Sequence, residues 1–416
     1  MASRGAQGLV LQRDGHGGQA VLSGGVDFDL SHVAYLRSDA GRRALSQVAT
    51  MSLSGASLVS DIASVRGQFG DHAAVLVETV QLRRRAQAKF GDPGRWLFTD
   101  EALQQATAAP VAAHRARRLT GARVHDATCS IGSELVALRD CTSQLVGSDL
   151  DPVRLAMAAN NLEDGGPAVG LCRADALAPI TRDAVVIIDP ARRAGGRRRF
   201  DPRAYTPALD AVLEVYRDRD LVVKCAPGID FDELAKMGFA GEIEVTSVGG
   251  SVREACLWSP GLTEPGVRRR ASLLETGEEL TDAEPDECAV AAAGRWIIDP
   301  DGAVVRAGLV RHYAARHGLW QLDPDIAYLS GDELPAGVRG FEVLDQLPFQ
   351  ERRLRSALAD HSAGALEILV RGVNVDPDAL RSRMRLRGTR ALAVVIARLG
   401  SGAAGRPAAF ICRPSR

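Results

Sequence analysis

RVHDATCSIGSE (123–134), LVGSDLDP (145–152), LCRADALAP (171–179) and AVVIIDPARR (184–193) follow one another at the spacing of the strands in a nucleotide-binding α/β unit. Each has an apolar run that can bury as a parallel strand, and each ends in an acidic or small residue. Ligands of open α/β sheets bind at that carboxyl edge. After the first strand, Asp126-Ala127-Thr128-Cys129-Ser130-Ile131-Gly132 is a turn of small side chains, which lets a ligand approach the backbone before a helix over 133–138. The turn keeps only Gly132 of a GxGxxG dinucleotide fingerprint and places an acid where a diphosphate would be repelled. An acid there suits a cation.

Asp149 ends the second strand about twenty residues on, where a carboxylate can accept both hydroxyls of a ribose. Asp175 ends the third, within reach of an adenine amino group. The ligand outlined is an adenosine with a positively charged amino-acid tail, which describes S-adenosylmethionine better than NAD. The expected cofactor contacts are Asp126, Thr128, Cys129 and Gly132 from the turn, Asp149 with Leu150, Asp175 with Ala176, and Asp189.

These motifs resemble those of class I S-adenosylmethionine-dependent methyltransferases, most nearly the RNA guanine methyltransferases of the trimethylguanosine synthase type. An acidic D-x-x-C-x-x-G-G turn, a D-x-D-P second strand and a helix with paired Asn are matched by Asp126, Cys129, Gly132, Asp149, Asp151, Pro152, Asn160 and Asn161. Ser130 and Ser133 stand where that family has Gly, an exchange that calls for negative φ at both. The fourth motif is Asp189-Pro190-Ala191-Arg192 in place of an amine-methylating (N/D/S)-P-P-aromatic. The chain from about 26 to 400 is similar to bacterial methyltransferases with a C-terminal THUMP-like domain. That resemblance implies a seven-stranded Rossmann-like core, an all-helical N-terminal domain and a small α/β THUMP-like C-terminal domain, with structured RNA as partner.

The 416 residues allow two or three domains. No apolar run approaches 18 residues and none of secretory type opens the chain, so the expectation is a soluble, cytoplasmic protein with no membrane partner. Seven cysteines without any C-x-x-C, and eight histidines without an i,i+4 pair, predict neither disulfides nor a metal site. The net charge of −1 gives no global attraction to nucleic acid. Lys89, Lys224 and Lys236 are the only lysines among 51 basic residues, so arginine clusters carry little weight and a lysine carries more.

The expected domains are a disordered leader (1–25), a helical domain (26–95), the cofactor-binding core (96–261) and the C-terminal region (262–416). Helix N-caps are expected at Asp39, Asp71 and Asp376, and a helix start at Thr99. Arg83, Arg84 and Arg85 read as a solvated flank. After EIEVTSVGG (242–250) and EACLWSP (254–260), a hairpin that should close the sheet, 262–292 reads as a connection with one strand near 271–274.

Methyl transfer needs positioning more than acid or base help. Asp189, with the carbonyls around Pro190, can accept hydrogen bonds from an acceptor amine. Lys224 ends a strand facing the same pocket and joins them as a candidate catalytic residue, while Cys225 reads as core packing. Arg192, Arg193, Arg197, Arg198 and Arg199 form a candidate substrate loop. The reading is a methyltransferase acting on a base in structured RNA such as tRNA or rRNA. The alternatives are a small-molecule or protein methyltransferase, and a non-catalytic RNA-binding protein with a vestigial pocket.

Overall fold

The computed structural model describes residues 25–163, 165–191, 193–194, 197–198, 201–400 and 405–415. Apart from Gly25, the expected leader lies outside them, as do Arg192 and Arg199 and the side chains of Arg193, Arg197 and Arg198. The chain divides into two units after Cys225.

The first unit opens with α1 (Leu30–Arg37), α2 (Asp39–Ala49), α3 (Leu58–Phe69) and α4 (Ala73–Phe90). Leu36, Leu45, Val48, Val65, Leu76 and Val80 form their shared core, which also takes in Ile131 and Met157 from the nucleotide-binding motifs. The corner between α1 and α2 needs Gly41, since a Cβ there would come within 2.0 Å of the Tyr35 carbonyl oxygen. Ser38, not Asp39, is the N-cap of α2, its hydroxyl accepting from Gly41 N–H at 3.1 Å. Asp71 lies in a 3₁₀ turn, and α4 begins after His72 without a side-chain cap. Nor are all the arginines of α4 a solvated flank. Arg83 donates to the carbonyls of Trp96 and Arg95, and Arg85 pairs with Asp100 at 2.6 Å.

Beyond α5 (Asp100–Gln105) and α6 (Ala109–Arg118) come β1 (Arg123–Asp126), α7 (Ser133–Leu138), β2 (Gln144–Asp149), α8 (Pro152–Asn161), β3 (Gly170–Arg173) and β4 (Val185–Ile188). Two-residue strands β5 (Arg193–Ala194) and β6 (Arg197–Arg198) pair within the arginine loop. The loop's base is tied by mutual backbone bonds between Ala191 and Thr206, 2.8 and 3.0 Å. The sequence from 202 to 217 holds a 3₁₀ turn over Pro202–Ala204 and the short helix α9 (Leu209–Val215), because Pro207 keeps one helix from running through. With β7 (Leu221–Cys225), the strands run parallel in the order β7-β4-β1-β2-β3. The order reverses between β1 and β4, the crevice where such sheets hold ligands. Every residue of β4 and β7 is buried, as strands covered on both faces require.

In the second unit, α10 (Phe231–Lys236) precedes the expected antiparallel hairpin, β8 (Glu242–Val248) and β9 (Ser251–Trp258). The hairpin does not end its sheet. β10 (Arg269–Leu273) runs parallel to β8 on the side away from β9, and β11 (Glu278–Thr281) runs antiparallel to β10. The 262–292 connection therefore holds two strands, turned at Gly277 with φ 73°.

Then follow β12 (Trp296–Ile298), α11 (Gly302–Ala307) and α12 (Val310–His317), two separate helices because left-handed Gly308 caps the first. The remaining elements are β13 (Trp320–Asp323), β14 (Ile326–Gly331), β15 (Gly340–Pro348), α13 (Glu351–Asp360), β16 (Ala363–Arg371), α14 (Pro377–Met384), β17 (Arg390–Leu399) and β18 (Arg406–Pro414). They build a seven-stranded sheet, β13-β14-β12-β15-β18-β17-β16. Asp376 caps α14 as expected, accepting from Asp378 and Ala379 N–H. Leu354, Leu358, Leu380 and Met384 seat α13 and α14 together on one face of this sheet.

Candidate active site

A cavity of about 350 Å³ opens at the carboxyl ends of the parallel strands. Asp126, Thr128, Cys129, Asp149, Leu150, Asp175, Ala176, Asp189 and Lys224 all line it. Gly132 and Pro190 do not line it themselves. Gly132 shapes the turn, at φ 78° and so close to α8 that a Cβ would sit 3.2 Å from that of Ala158. Ser133 starts α7. Ser130, expected at negative φ, adopts φ 48°. That conformation points its N–H at Asp149 Oδ2, 2.9 Å away, an interaction that offsets the strain of a non-glycine residue there.

Asp149 also accepts from Asp151 N–H through Oδ1 at 2.9 Å, so its carboxylate is fixed in plane with lone pairs left over on both oxygens. Beside it Leu150, 57% exposed, presents an apolar side chain to the cavity. Asp175 holds its own turn by accepting from Leu177 N–H at 2.9 Å. The buried Tyr216 hydroxyl donates to the Ala176 carbonyl at 2.7 Å and pins that loop from below.

The inner wall is charged. Lys224 Nζ stands 2.6 Å from Asp189 Oδ2 and 3.7 Å from Glu134 Oε2. Glu134 Oε1 is paired with Arg115 Nη1 at 3.1 Å, both side chains being almost fully buried. Glu134 Oε2 has no hydrogen-bond partner among the described residues. Asp126 is pushed up to about 7, first by burial and then by Glu134, with Lys224 opposing. Neither Glu134 nor Arg115 stood out in the sequence. The signal available for Glu134 was an acid two residues past Gly132, in the first turn of the helix. Cys225 is fully buried and does not line the cavity.

The Asp126 environment has a measurable consequence. The folded carboxyl lies above its unfolded value of 3.8, so between about pH 4 and 7 the folded state holds the extra proton. Stability from this group is therefore lost as pH rises through that window, by up to about 4 kcal/mol. The ligand-free protein should show a falling thermal midpoint from pH 5 to 7.5. Asp126→Asn should flatten that slope, and an unchanged slope in the variant would rule this out.

The outer wall is α5, which contributes Ala102, Gln105 and Ala106. Thr99 caps it as expected, accepting from Ala102 N–H at 3.1 Å. At its other end Lys89 Nζ donates to the carbonyls of Leu103, Gln104 and Ala106 at 2.7–2.9 Å. Arg154 reaches Glu101 at 2.7 Å. The paired asparagines hold the segment leading into it. Asn161 accepts from Leu97 N–H and donates to the carbonyls of Leu97 and Ile131, while Asn160 donates to Arg95. Phe98 is buried in the helical core; the cover over the cavity is α5 itself.

These surroundings suit an adenosine carrying a cationic amino-acid chain. An exposed leucine lies beside a fixed carboxylate, a second acid-bearing loop stands next to it, and an unsatisfied buried carboxylate oxygen lies on the inner side. No group of His, Cys, Asp or Glu among the described residues could hold a metal ion, and no described helix is long and apolar enough to cross a membrane.

Comparisons with known proteins point the same way. Residues 338–414 match the model of a THUMP domain-like family, and 29–86 match a domain of unknown function. Uncharacterized S-adenosylmethionine-dependent methyltransferases of Mycobacterium tuberculosis, from strains CDC 1551 and H37Rv, are each 65% identical over 358 residues, 85% of this chain and 100% of theirs. A crystallised Porphyromonas gingivalis W83 protein, provisionally named a methyltransferase, superimposes with a TM-score of 0.74 over 94% of this chain and 100% of its own. At 19% identity that likeness speaks for the fold alone. The chain thus belongs to the S-adenosylmethionine-dependent methyltransferases and carries a THUMP-like domain at its C-terminus.

Proposed function

We propose that this methyltransferase modifies a base in structured RNA, tRNA or rRNA, docking it through the THUMP-like segment. The observation that supports an RNA partner most directly is the outer face of α13 and α14. Arg352, Arg353 and Arg355 are exposed on α13, and Arg385 and Arg387 just past α14; none makes an ion pair among the described residues. Arg381 and Arg383 of α14 are exposed but matched by Asp378 and Glu351. Arg371 pairs with Asp299 and lies over the Tyr328 ring, so it belongs to the packing.

In this reading S-adenosylmethionine supplies a methyl group made electrophilic by its sulfonium. Asp149 would bind the ribose hydroxyls, Leu150 would cover the adenine, and Asp175 would take its amino group. Asp126 would face the cationic tail. Asp189 would receive a hydrogen bond from the acceptor and orient its lone pair. Pro190 stiffens the strand end beyond it, and α5 keeps water from the reacting atoms. The segment that carries the arginines of 192–199 is tied at Ala191 and Thr206, both of which line the cavity, and those arginines would meet the RNA strand around the target base.

Binding should then weaken steeply with salt. Replacing Arg352, Arg353, Arg355 and Arg385 with glutamine is expected to reduce the log–log salt slope by about 0.7–0.9 for each arginine that touches a phosphate. Filter binding of bulk unmodified tRNA and rRNA across a salt series measures it. Point substitutions are needed, since β16, β17 and β18 lie within the second sheet and truncation would open its core. Salt-independent affinity would favour a small-molecule or protein substrate instead. Nucleoside mass spectrometry of RNA from a deletion strain would identify the product.

A further inference from the structure

The acceptor side of the cavity holds an ion pair, not a lone carboxylate, and this constrains what can be methylated. Asp189 and Lys224 end adjacent parallel strands, β4 and β7, and both line the cavity. The lysine side chain is 7% exposed, and the Asp189 side chain is 22% exposed. The pair is held from several directions. Asp189 N–H donates to Thr128 Oγ1 at 2.7 Å, Ala191 is bonded to Thr206, and Glu134 stands 3.7 Å behind Lys224 with Arg115 fixing its other oxygen.

The choice of lysine is itself informative in a chain with 51 basic residues of which three are lysines. An arginine facing Asp189 could fork onto both carboxylate oxygens. Lys224 bonds Oδ2 and leaves Oδ1, which has no hydrogen-bond partner among the described residues, as the remaining acceptor of a side chain that lines the cavity. Asp189 is therefore an acceptor whose charge is already matched.

We propose that Lys224 sets the acceptor class: by neutralising Asp189 it reserves the pocket for a neutral nitrogen of the kind a nucleobase carries, and it turns away the alkylammonium of a lysine side chain or N-terminus. An entering alkylammonium would meet a fixed ammonium at close range instead of a bare carboxylate. A neutral N–H meets no such penalty and has Asp189 Oδ1 as partner. The transfer then balances without a strong base. The nitrogen's lone pair forms the new N–C bond, the C–S bond breaks with its electrons left on sulfur, and the nitrogen's proton passes through Asp189 Oδ1 to solvent. An alkylammonium has no lone pair and would first have to lose a proton beside Lys224.

This inference rests on the RNA reading for its natural substrate but can be tested apart from it. Protein saturated with S-adenosylhomocysteine is titrated calorimetrically with n-butylammonium, a stand-in for a lysine side chain. Wild type and Lys224→Arg should bind it weakly and alike, and Lys224→Met should bind it at least tenfold more tightly. In parallel, labelled methyl transfer is compared between bulk unmodified RNA and a lysine-rich peptide, where Lys224→Met should shift the RNA-to-peptide rate ratio at least tenfold toward the peptide. Equal butylammonium affinity in wild type and Lys224→Met overturns the proposal. So does a wild type that prefers the peptide, or a Lys224→Met that lowers both rates in the same proportion, which is what a structural role alone produces. If the calorimetric shift appears while wild type leaves both RNA and peptide unlabelled, Lys224 keeps its assigned role and the RNA reading falls.

Discussion

Asp189→Ala is expected to lower turnover about 10²–10³-fold while leaving the affinity for S-adenosylhomocysteine within a few-fold. Its carboxylate stands at the end of β4, paired with Lys224, whereas Asp149, the acid proposed to bind the ribose, ends β2 on the far side of β1. The backbone contact at this position survives the change, because Thr128 Oγ1 accepts from the Asp189 N–H and not from its side chain. Lys224 also keeps Glu134 nearby. Single-turnover kinetics beside calorimetry separates the two quantities. If cofactor affinity collapses together with turnover, Asp189 holds the site's shape and the assignment to the acceptor is wrong.

A comparably large effect, on stability, is expected from Asn161→Ala. This one buried side chain accepts from Leu97 N–H at 2.7 Å and donates to the carbonyls of Leu97 and Ile131, both at 3.0 Å. Removing it leaves three buried backbone groups unsatisfied and Asn160 without a neighbour it donates to. At about 1–3 kcal/mol for each such group, a loss of roughly 3–5 kcal/mol is expected. The melting transition should fall by on the order of 10 °C. Cofactor affinity should fall as well, since Ile131 lies in the cofactor turn. Asn161→Asp keeps the acceptor and loses the donors, so it should lie between. A near-native melt for the alanine variant would mean that water replaces the clamp.

What was legible in the sequence was the part of the site fixed by local chemistry. Asp126 and Asp149 end parallel strands and Asp189 and Asp175 follow theirs by one and two residues, so a strand-like run followed by an acid locates them without knowledge of the rest. Asp376 and Thr99 were readable as caps for the same reason. The inner charge network was not, because Glu134 meets Arg115 only where α7 packs on α6, and no spacing in the chain records that. The left-handed Ser130 was missed because its strain is offset by Asp149, nineteen residues away. The role of the paired asparagines is equally non-local, joining α8 to a segment more than sixty residues earlier. In the second unit short strands such as Trp296–Ile298 pair with partners far along the chain, which no local spacing records.

The double backbone bond between Ala191 and Thr206 bears on how such an enzyme changes its target. It closes the arginine-bearing segment at its neck, two residues after Asp189. Mutation, insertion or deletion above that neck need not disturb the ion pair beneath it. The segment can therefore be exchanged as a cassette, with the target recognised expected to change while Asp189 and Lys224 keep their pairing.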